Sequence, residues 1–340
     1  MLKILDSYKN ITEWEKTIHE LSHLNKTIFL LPQYINAHLN YKSKGKLLFF
    51  KEKNLFFFHS FVLNETKIKN TKYKIKDITN PYGYSGSISN IKDRKILKKI
   101  FDYYKNYLDK NKILLELSMT CKENSDFSLP FNYKKNYVKK VCFIDIKEKN
   151  NSILKSKNQN MVRKALKNKL KIEISFDSKD LENFKKIYSS FLKRKKADKK
   201  YSLKKNFSKN AIYLIKKKYL FFIKILNNEN KVVSIGLFFI YNGHALYHFS
   251  ASINNKNNNG AFELMIFQCF KFCQLKKFKS IYLGGGLTSS SDDNLFRFKK
   301  KLSDKLENFY IIKKIYNKNL YNEIKKQTKK NNDKKFIFYI

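Results

Sequence analysis

YLFFIKILNNENKVVSIGLFFIYNGHALYHFSAS (219–252) holds three apolar, strand-length runs at 219–226, 231–240 and 244–252, parted by two turns. The first turn is NNEN. The second carries Asn242-Gly243, the dipeptide that best supplies the positive φ angles of a tight hairpin, so the three runs form an antiparallel meander. Downstream, Gly260 precedes a long helix over about 261–276, which leads to a buried strand, SIYLGGG (280–286). Upstream, 152–169 suits a basic helix and KIEISF (171–176) a strand. In LENFKKIYSSFLKRKK (181–196), Leu181, Phe184, Ile187, Tyr188, Phe191 and Leu192 mark one apolar helical face, and a further helix is expected near 207–218. Helices, three antiparallel strands, a helix and a strand do not make a Rossmann fold, which needs alternating βαβ units.

The first half runs through a shorter, looser version of that order. Thr12 to Glu15 makes a capping box that opens a helix to about Asn25. KLLFF (46–50) and LFFFHSF (55–61) are strand-like, and TNPYGYSGSIS (79–89) is an ordered loop. A helix over about 91–109 precedes the strands ILLELSM (113–119) and NYVKKVCFIDI (136–146). Beyond 311 the chain is rich in Lys and Asn, with a helix near 317–330 and an apolar end, KFIFYI (335–340).

At 340 residues the chain can bury two cores, and 42% hydrophobic residues suffice for them. The net charge of +44 first suggests a nucleic-acid binder. Yet four of the 72 basic residues are Arg, the usual choice for bidentate phosphate and base contacts. Lys, Asn, Ile, Phe and Tyr are inflated together, as AT-rich codons would produce. DNA is therefore not an expected partner, while a Lys-rich surface still favours anionic substrates or an anionic membrane face. Cys121, Cys142, Cys269 and Cys273 lack metal-type spacing and are expected as free core thiols. His19/His23 and His244/His248 each share a face but find no third ligand nearby, so no metal is expected. MLKILDSYKN has no apolar signal-peptide core and no run reaches membrane-span length, so the expectation is a soluble, cytoplasmic protein.

LGGGLTSSSDDNLFRFKKKLS (283–303) is the most informative segment for chemistry. Gly284, Gly285 and Gly286 end a buried strand, where glycines let backbone or ligand approach closely. Ser291, Asp292 and Asp293 suit the N-terminus of a short helix. Arg297 and Lys299 then stand just beyond the strand's carboxyl end, where ligands sit in open α/β sheets.

ALYHFSAS (245–252), GAFELMIFQCFKFC (260–273) and IYLGGG…DDNLFRFK (281–299) together resemble the C-terminal half of FemAB-like peptidoglycan-bridge transferases, and also the BioF2-like GNAT domains. NMVRKALKNKLKIEI (160–174) resembles the basic helix and strand that open that half, and PYGYSGSIS (81–89) the loop of the first domain. The resemblance spans about 29–310. It implies an α+β chain of two tandem GNAT-like domains, each a mixed, mostly antiparallel sheet flanked by helices. The domain bounds it suggests are 1–150 and 151–310, with an extension at 311–340.

By the same resemblance, the Phe-Lys pair implicated in acyl transfer falls on Phe298 and Lys299. A fixed ammonium there would stabilise the oxyanion that forms when an amine attacks an ester or thioester. The following aromatic of the family is Leu302 here. Asp292, Asp293 and Glu263 are candidate bases, with Asp293 carried as a catalytic candidate beside Phe298 and Lys299. Tyr247, Arg163, Gly285 and Arg297 are candidate substrate-binding residues, and Lys164 is also available.

A GNAT acetyl-CoA turn has the pattern Q/R-x-x-G-x-G/A. NNNGAF (257–262) keeps one glycine, with Asn257 first and Phe262 last, so Asn259 and Gly260 are candidate contacts of a degenerate diphosphate site. The positions that would hold acceptor phosphates carry Asn36 and Ser202. No tightly bound cofactor is expected, and the donor is either aminoacyl-tRNA or acyl-CoA. The implied function is N-acyl or aminoacyl transfer to an amino group of a nucleotide- or lipid-linked envelope precursor, with the inner membrane face a candidate peripheral contact. The rivals are an acyl-CoA-dependent amino-sugar N-acyltransferase and a non-catalytic, basic tRNA- or membrane-associated scaffold.

Overall fold

The structure is a computed structural model and describes residues 1–20, 28–68, 71–83, 86–121, 135–148, 151–253, 259–328 and 336–337. In chain order the elements are β1 (Leu2–Asp6), α1 (Ile11–Glu20), α2 (Pro32–His38), β2 (Lys44–Glu52), β3 (Leu55–Lys67), β4 (Lys74–Thr79), β5 (Ile88–Ser89), α3 (Arg94–Lys110), β6 (Ile113–Cys121) and β7 (Lys135–Asp145). Then come α4 (Ser156–Lys167), β8 (Lys171–Ser175), α5 (Lys179–Arg194), α6 (Phe207–Lys216), β9 (Leu220–Leu226), β10 (Val232–Tyr241), β11 (His244–Ser252), α7 (Ala261–Leu275), β12 (Ser280–Gly284), α8 (Asn294–Leu302), β13 (Lys305–Ile315) and α9 (Lys318–Gln327). Two compact units result: Met1–Asn25, Phe29–Val138 and Phe309–Ile340 form the first, and Lys26–Ile28 with Lys139–Asn308 the second. Residues 139–145 precede position 150 yet belong with β12 in the second unit, and Phe309–Ile315, at the start of the C-terminal extension, pairs with β6 of the first.

In the second unit the strand order is β7-β12-β11-β10-β9-β8. The meander of β9, β10 and β11 is antiparallel, and β12 runs parallel to β11. That parallel pairing covers His244↔Ser280 to Leu246↔Tyr282 alone, so β11 continues past β12 without it, the splay typical of a GNAT sheet. β7 then closes the sheet antiparallel to β12, with Gly284 opposite Cys142.

β9 is buried on both faces, which is why LFFIKIL is nearly all apolar instead of alternating. Phe221 meets Phe238 and Phe272 of α7 on one face, while Phe222 meets Phe184 of α5 on the other. Each such ring contributes roughly 2–3 kcal/mol by leaving water. Lys224 shares the face of Phe222, and a charge there must be paired. Its ammonium lies 2.7 Å from Glu173 and 3.0 Å from Asp180.

The first unit repeats the plan. β2, β3 and β4 form an antiparallel meander, α3 follows, and β6 returns parallel to β4. Asp93 caps α3 by accepting the amides of Lys95 and Ile96, and Leu97, Ile100, Tyr104 and Leu108 make its buried stripe. The strand beside β6 is β13, antiparallel to it from Phe309 to Ile315. The closing strands are thus exchanged in chain order. The strand made directly after β6 serves the second sheet, and the strand made after β12 serves the first.

Candidate active site

α8 begins at a strong cap. Asp293 accepts the amide of Phe296 at 2.9 Å, and its other oxygen accepts the amide and hydroxyl of Thr288 at 2.9 and 3.1 Å. Burial raises its pKa, but these donors outweigh it and hold the carboxyl below its ordinary value. With its oxygens occupied, Asp293 is a helix cap and loop latch and a weak base in this arrangement. Gly286 permits the latch, since a Cβ there would overlap Asp293 Oδ1.

The cap fixes which side chains of FRFKKK turn inward. Phe296, Lys299 and Leu302 fall on the buried face of α8, while Arg297, Lys300 and Lys301 are exposed. Lys299 is 7% exposed. Its ammonium donates to Gly285 O at 3.0 Å and lies 5.4 Å from the centre of the Tyr247 ring. An ammonium has three donors, so beyond the carbonyl and the ring face it keeps bonding capacity for a further acceptor. Burial is the main cause that lowers the Lys299 pKa to about 8; Lys139 adds to the effect, while Cys142 and Asp293 oppose it.

Tyr247 donates to or accepts from Ser250 at 2.7 Å, and burial pushes its phenol up to about 12. Phe262 packs edge-on against Tyr247 at 5.4 Å and against Phe298 at 4.9 Å. The bulky residue at the last position of NNNGAF therefore braces the aromatic wall beside Lys299. Phe298 is part of that wall. Neighbouring Glu263 has its pKa raised, chiefly by burial.

Gly260 has φ 83 and caps α7 without a side chain; a Cβ there would overlap the carbonyl oxygen of Met161 in α4. Helix α4 thus packs directly on the start of α7. Asn259 is exposed beside it, and Asn257 lies outside the described residues. Arg163 is exposed and donates to Asn160 one turn back on α4. The structure therefore gathers Lys299, Phe298, Tyr247, Gly285 and Asp293, whereas Arg163 and Arg297 point to solvent. Asn36 is buried and bonded to Ser7 through both ends of its amide, and Ser202 is exposed.

Two features had no clear sequence signal. Lys139 donates to Gly286 O at 2.8 Å, from a strand in which it is one lysine among several. In the first unit, His59 and Glu116 are both buried, with Nε2 3.8 Å from Oε1. Glu116 accepts from Ser118 at 2.7 Å and Tyr316 at 2.6 Å, and His59 Nδ1 lies 3.1 Å from Ser87 Oγ. Burial lowers the His59 pKa to about 4 and raises that of Glu116, so each favours its neutral form.

No family model matches the chain, and no curated protein matches it in sequence. Solved structures do match its fold. FemX superposes with TM-score 0.67 at 13% identity, covering 95% of this chain and 99% of its own. The C-terminal domain of a proposed lysylphosphatidylglycerol synthetase from Agrobacterium fabrum gives TM-score 0.59 at 8% identity, covering 94% and 97%. A tandem GNAT protein from the clavulanic acid biosynthesis pathway gives 0.50 at 5% identity, covering 92% and 98%. At such identities the likeness establishes the fold, a tandem GNAT arrangement. Among the described residues, no helix is long and apolar enough to cross a membrane.

Proposed function

We propose that this chain is an acyltransferase that moves an acyl or aminoacyl group onto an amino group of a cell-envelope precursor, with Lys299 as the group that meets the reacting carbonyl. The observation that carries this is the buried Lys299 ammonium, which has no ion-pair partner within 4.0 Å among the described residues and stands at the carboxyl end of β12 in a tandem GNAT fold. The likeness to FemX supports an envelope acceptor, in keeping with the resemblance of 245–299 to peptidoglycan-bridge transferases.

In the proposed reaction the neutral acceptor amine attacks the donor carbonyl and a nitrogen–carbon bond forms. The carbonyl oxygen takes negative charge, which the free donor of Lys299 stabilises. Collapse breaks the carbon–oxygen bond of an aminoacyl ester or the carbon–sulfur bond of a thioester. The proton lost by the amine ends on the leaving group. Phe298 and Tyr247 exclude water from the ammonium, which strengthens its effect. Glu263 is carried as the candidate base, and Asp293 holds the loop. Arg163 and Arg297 are surface contacts for an anionic donor or acceptor. Aminoacyl-tRNA is favoured over acyl-CoA, because Phe262 and the Met161 carbonyl crowd the start of α7, next to Asn259 and Gly260.

The test incubates the protein with charged tRNAs or CoA thioesters and amine-bearing muropeptide or amino-sugar precursors, and reads mass gain on the acceptor. Lys299→Met should lower turnover by about 10²–10³ with acceptor affinity little changed. Lys300→Met and Lys301→Met should leave it intact. Equal turnover in all three variants would refute the role of Lys299. Transfer from CoA thioesters alone would turn the assignment to the amino-sugar acyltransferase, and absence of transfer from every donor to the scaffold.

A further inference from the structure

Two ammonium groups grip consecutive carbonyls of one glycine loop. Lys299 reaches Gly285 O at 3.0 Å from α8, and Lys139 reaches Gly286 O at 2.8 Å from β7. The pairing of β7 with β12, Gly284 opposite Cys142, carries Lys139 past the loop. Its stem occupies the space that Gly285 leaves: a Cβ on Gly285 would lie 3.2 Å from both Lys139 Cε and Lys140 O. A half-buried lysine that ends on a backbone carbonyl beside a second buried lysine is electrostatically costly, since each cation opposes the other. A residue confined to holding the loop could do so without charge.

We infer that Lys139 is a positioning residue of the Lys299 site: it fixes the Gly286 carbonyl, so that the loop presents Gly285 O to Lys299, and it sets a second positive charge beside the Lys299 ammonium. The groups that face Lys299 are Cys142 and Lys139 on β7, Asp293 at the cap of α8 and the Tyr247 ring on β11. Those that face Lys139 are Asp293 and Lys200. Burial is the largest cause lowering both lysines; Lys139 pushes Lys299 further down, and Lys200 does the same to Lys139, against the pull of Asp293. In acyl transfer the amine loses a proton and the leaving oxygen or sulfur gains one. A lysine that titrates near the working pH can pass its proton to the leaving oxygen or sulfur; an ordinary surface lysine holds it too tightly.

The consequence for turnover rests on the acyl-transfer proposal, but the pairing itself is measured in the free protein. Lysine labelled with carbon-13 at Cε is titrated by NMR, and the Lys299 signal is identified by its loss in Lys299→Met. In the wild type Lys299 should titrate near 8, and Lys139 also below the surface lysines. Lys139→Met should move the Lys299 midpoint upward, while Lys139→Arg, which keeps the charge, should leave it in place. Lys139→Gln serves as a second neutral variant should Lys139→Met not fold. An unmoved midpoint in the folded neutral variant, or a wild-type Lys139 that titrates with the surface lysines, overturns the inference. Once a substrate is in hand, the alkaline limb of kcat should move with the NMR midpoint while KM stays constant. A moved midpoint in a protein that transfers nothing would uphold the pairing and sink the acyl-transfer proposal instead.

Discussion

Replacing Lys299 by Met separates a buried ammonium from a solvated one without any knowledge of substrate. The Met side chain keeps most of the apolar stem packed beside Phe296 and Leu302 and deletes the charge. A fall in pKa from 10.5 to about 8 corresponds to roughly 3 kcal/mol of penalty on the charged form, at about 1.4 kcal/mol per unit. The unfolded chain holds this proton up to its ordinary pKa, whereas the folded chain releases it near 8. Across that window the unfolded state binds more protons, so the wild type gains stability as pH rises from 8 to 10.5. The variant has no such gain. Its stability relative to wild type should therefore fall by about 3 kcal/mol between pH 7 and the upper end of the window. Urea unfolding at a series of pH values measures this, with Lys300→Met as a control that removes the same formal charge from an exposed site. A Lys299→Met curve that runs parallel to the Lys300→Met curve would refute a buried, easily deprotonated Lys299.

His59 should act at the other end of the pH scale. Burial holds it neutral to about 4, so the wild type loses stability as pH falls from 6.5 towards that value; His59→Phe should flatten this loss by about 2–3 kcal/mol in acid denaturation curves. Asp293→Ala removes the cap of α8 and the latch on Thr288, and should cost about 1–2 kcal/mol in urea unfolding. Gly286→Ala, whose Cβ overlaps the Asp293 carboxylate, should lose a comparable amount and displace the loop, visible as shifted Thr288 and Phe296 amide resonances. Lys224→Met leaves Asp180 buried without its cation and should cost about 3–5 kcal/mol. An undiminished midpoint would show that the pair has no stabilising role.

The meander of the second unit was legible because its strands are apolar enough to stand out and its second turn carries Asn-Gly. Three strands, β1, β4 and β13, carry no comparable signal. In KIKDIT, Asp77 takes a buried position on the face of Ile75, and in KLENFYIIKKI, Glu307 takes one on the face of Phe309, so the apolar alternation is broken by buried carboxylates. Nor could the sequence tell which strand closes which sheet, since pairing between strands so far apart in the chain leaves no local trace. Lys299 was found by its place after three glycines and by a family motif. Lys139 was not, because only the register Gly284↔Cys142 distinguishes it from the lysines around it. His59 and Glu116 had no signature either. They meet because β6 returns parallel to β4, beside the strand that holds His59.

The exchanged closing strands impose a timetable on synthesis. β6 emerges from the ribosome with an apolar edge, ILLELSM, and its proper neighbour at Phe309–Ile315 is made roughly 190 residues later, some 10–40 s at ordinary translation rates. During that interval the next strand to appear is β7, a wrong partner within easy reach, whose own partner β12 is also still unmade. Open strand edges of this kind invite mispairing and aggregation. The nascent chain is therefore exposed to mispairing until Phe309–Ile315 emerges. Any fragment that stops before residue 309 should accumulate in inclusion bodies, however complete its second unit.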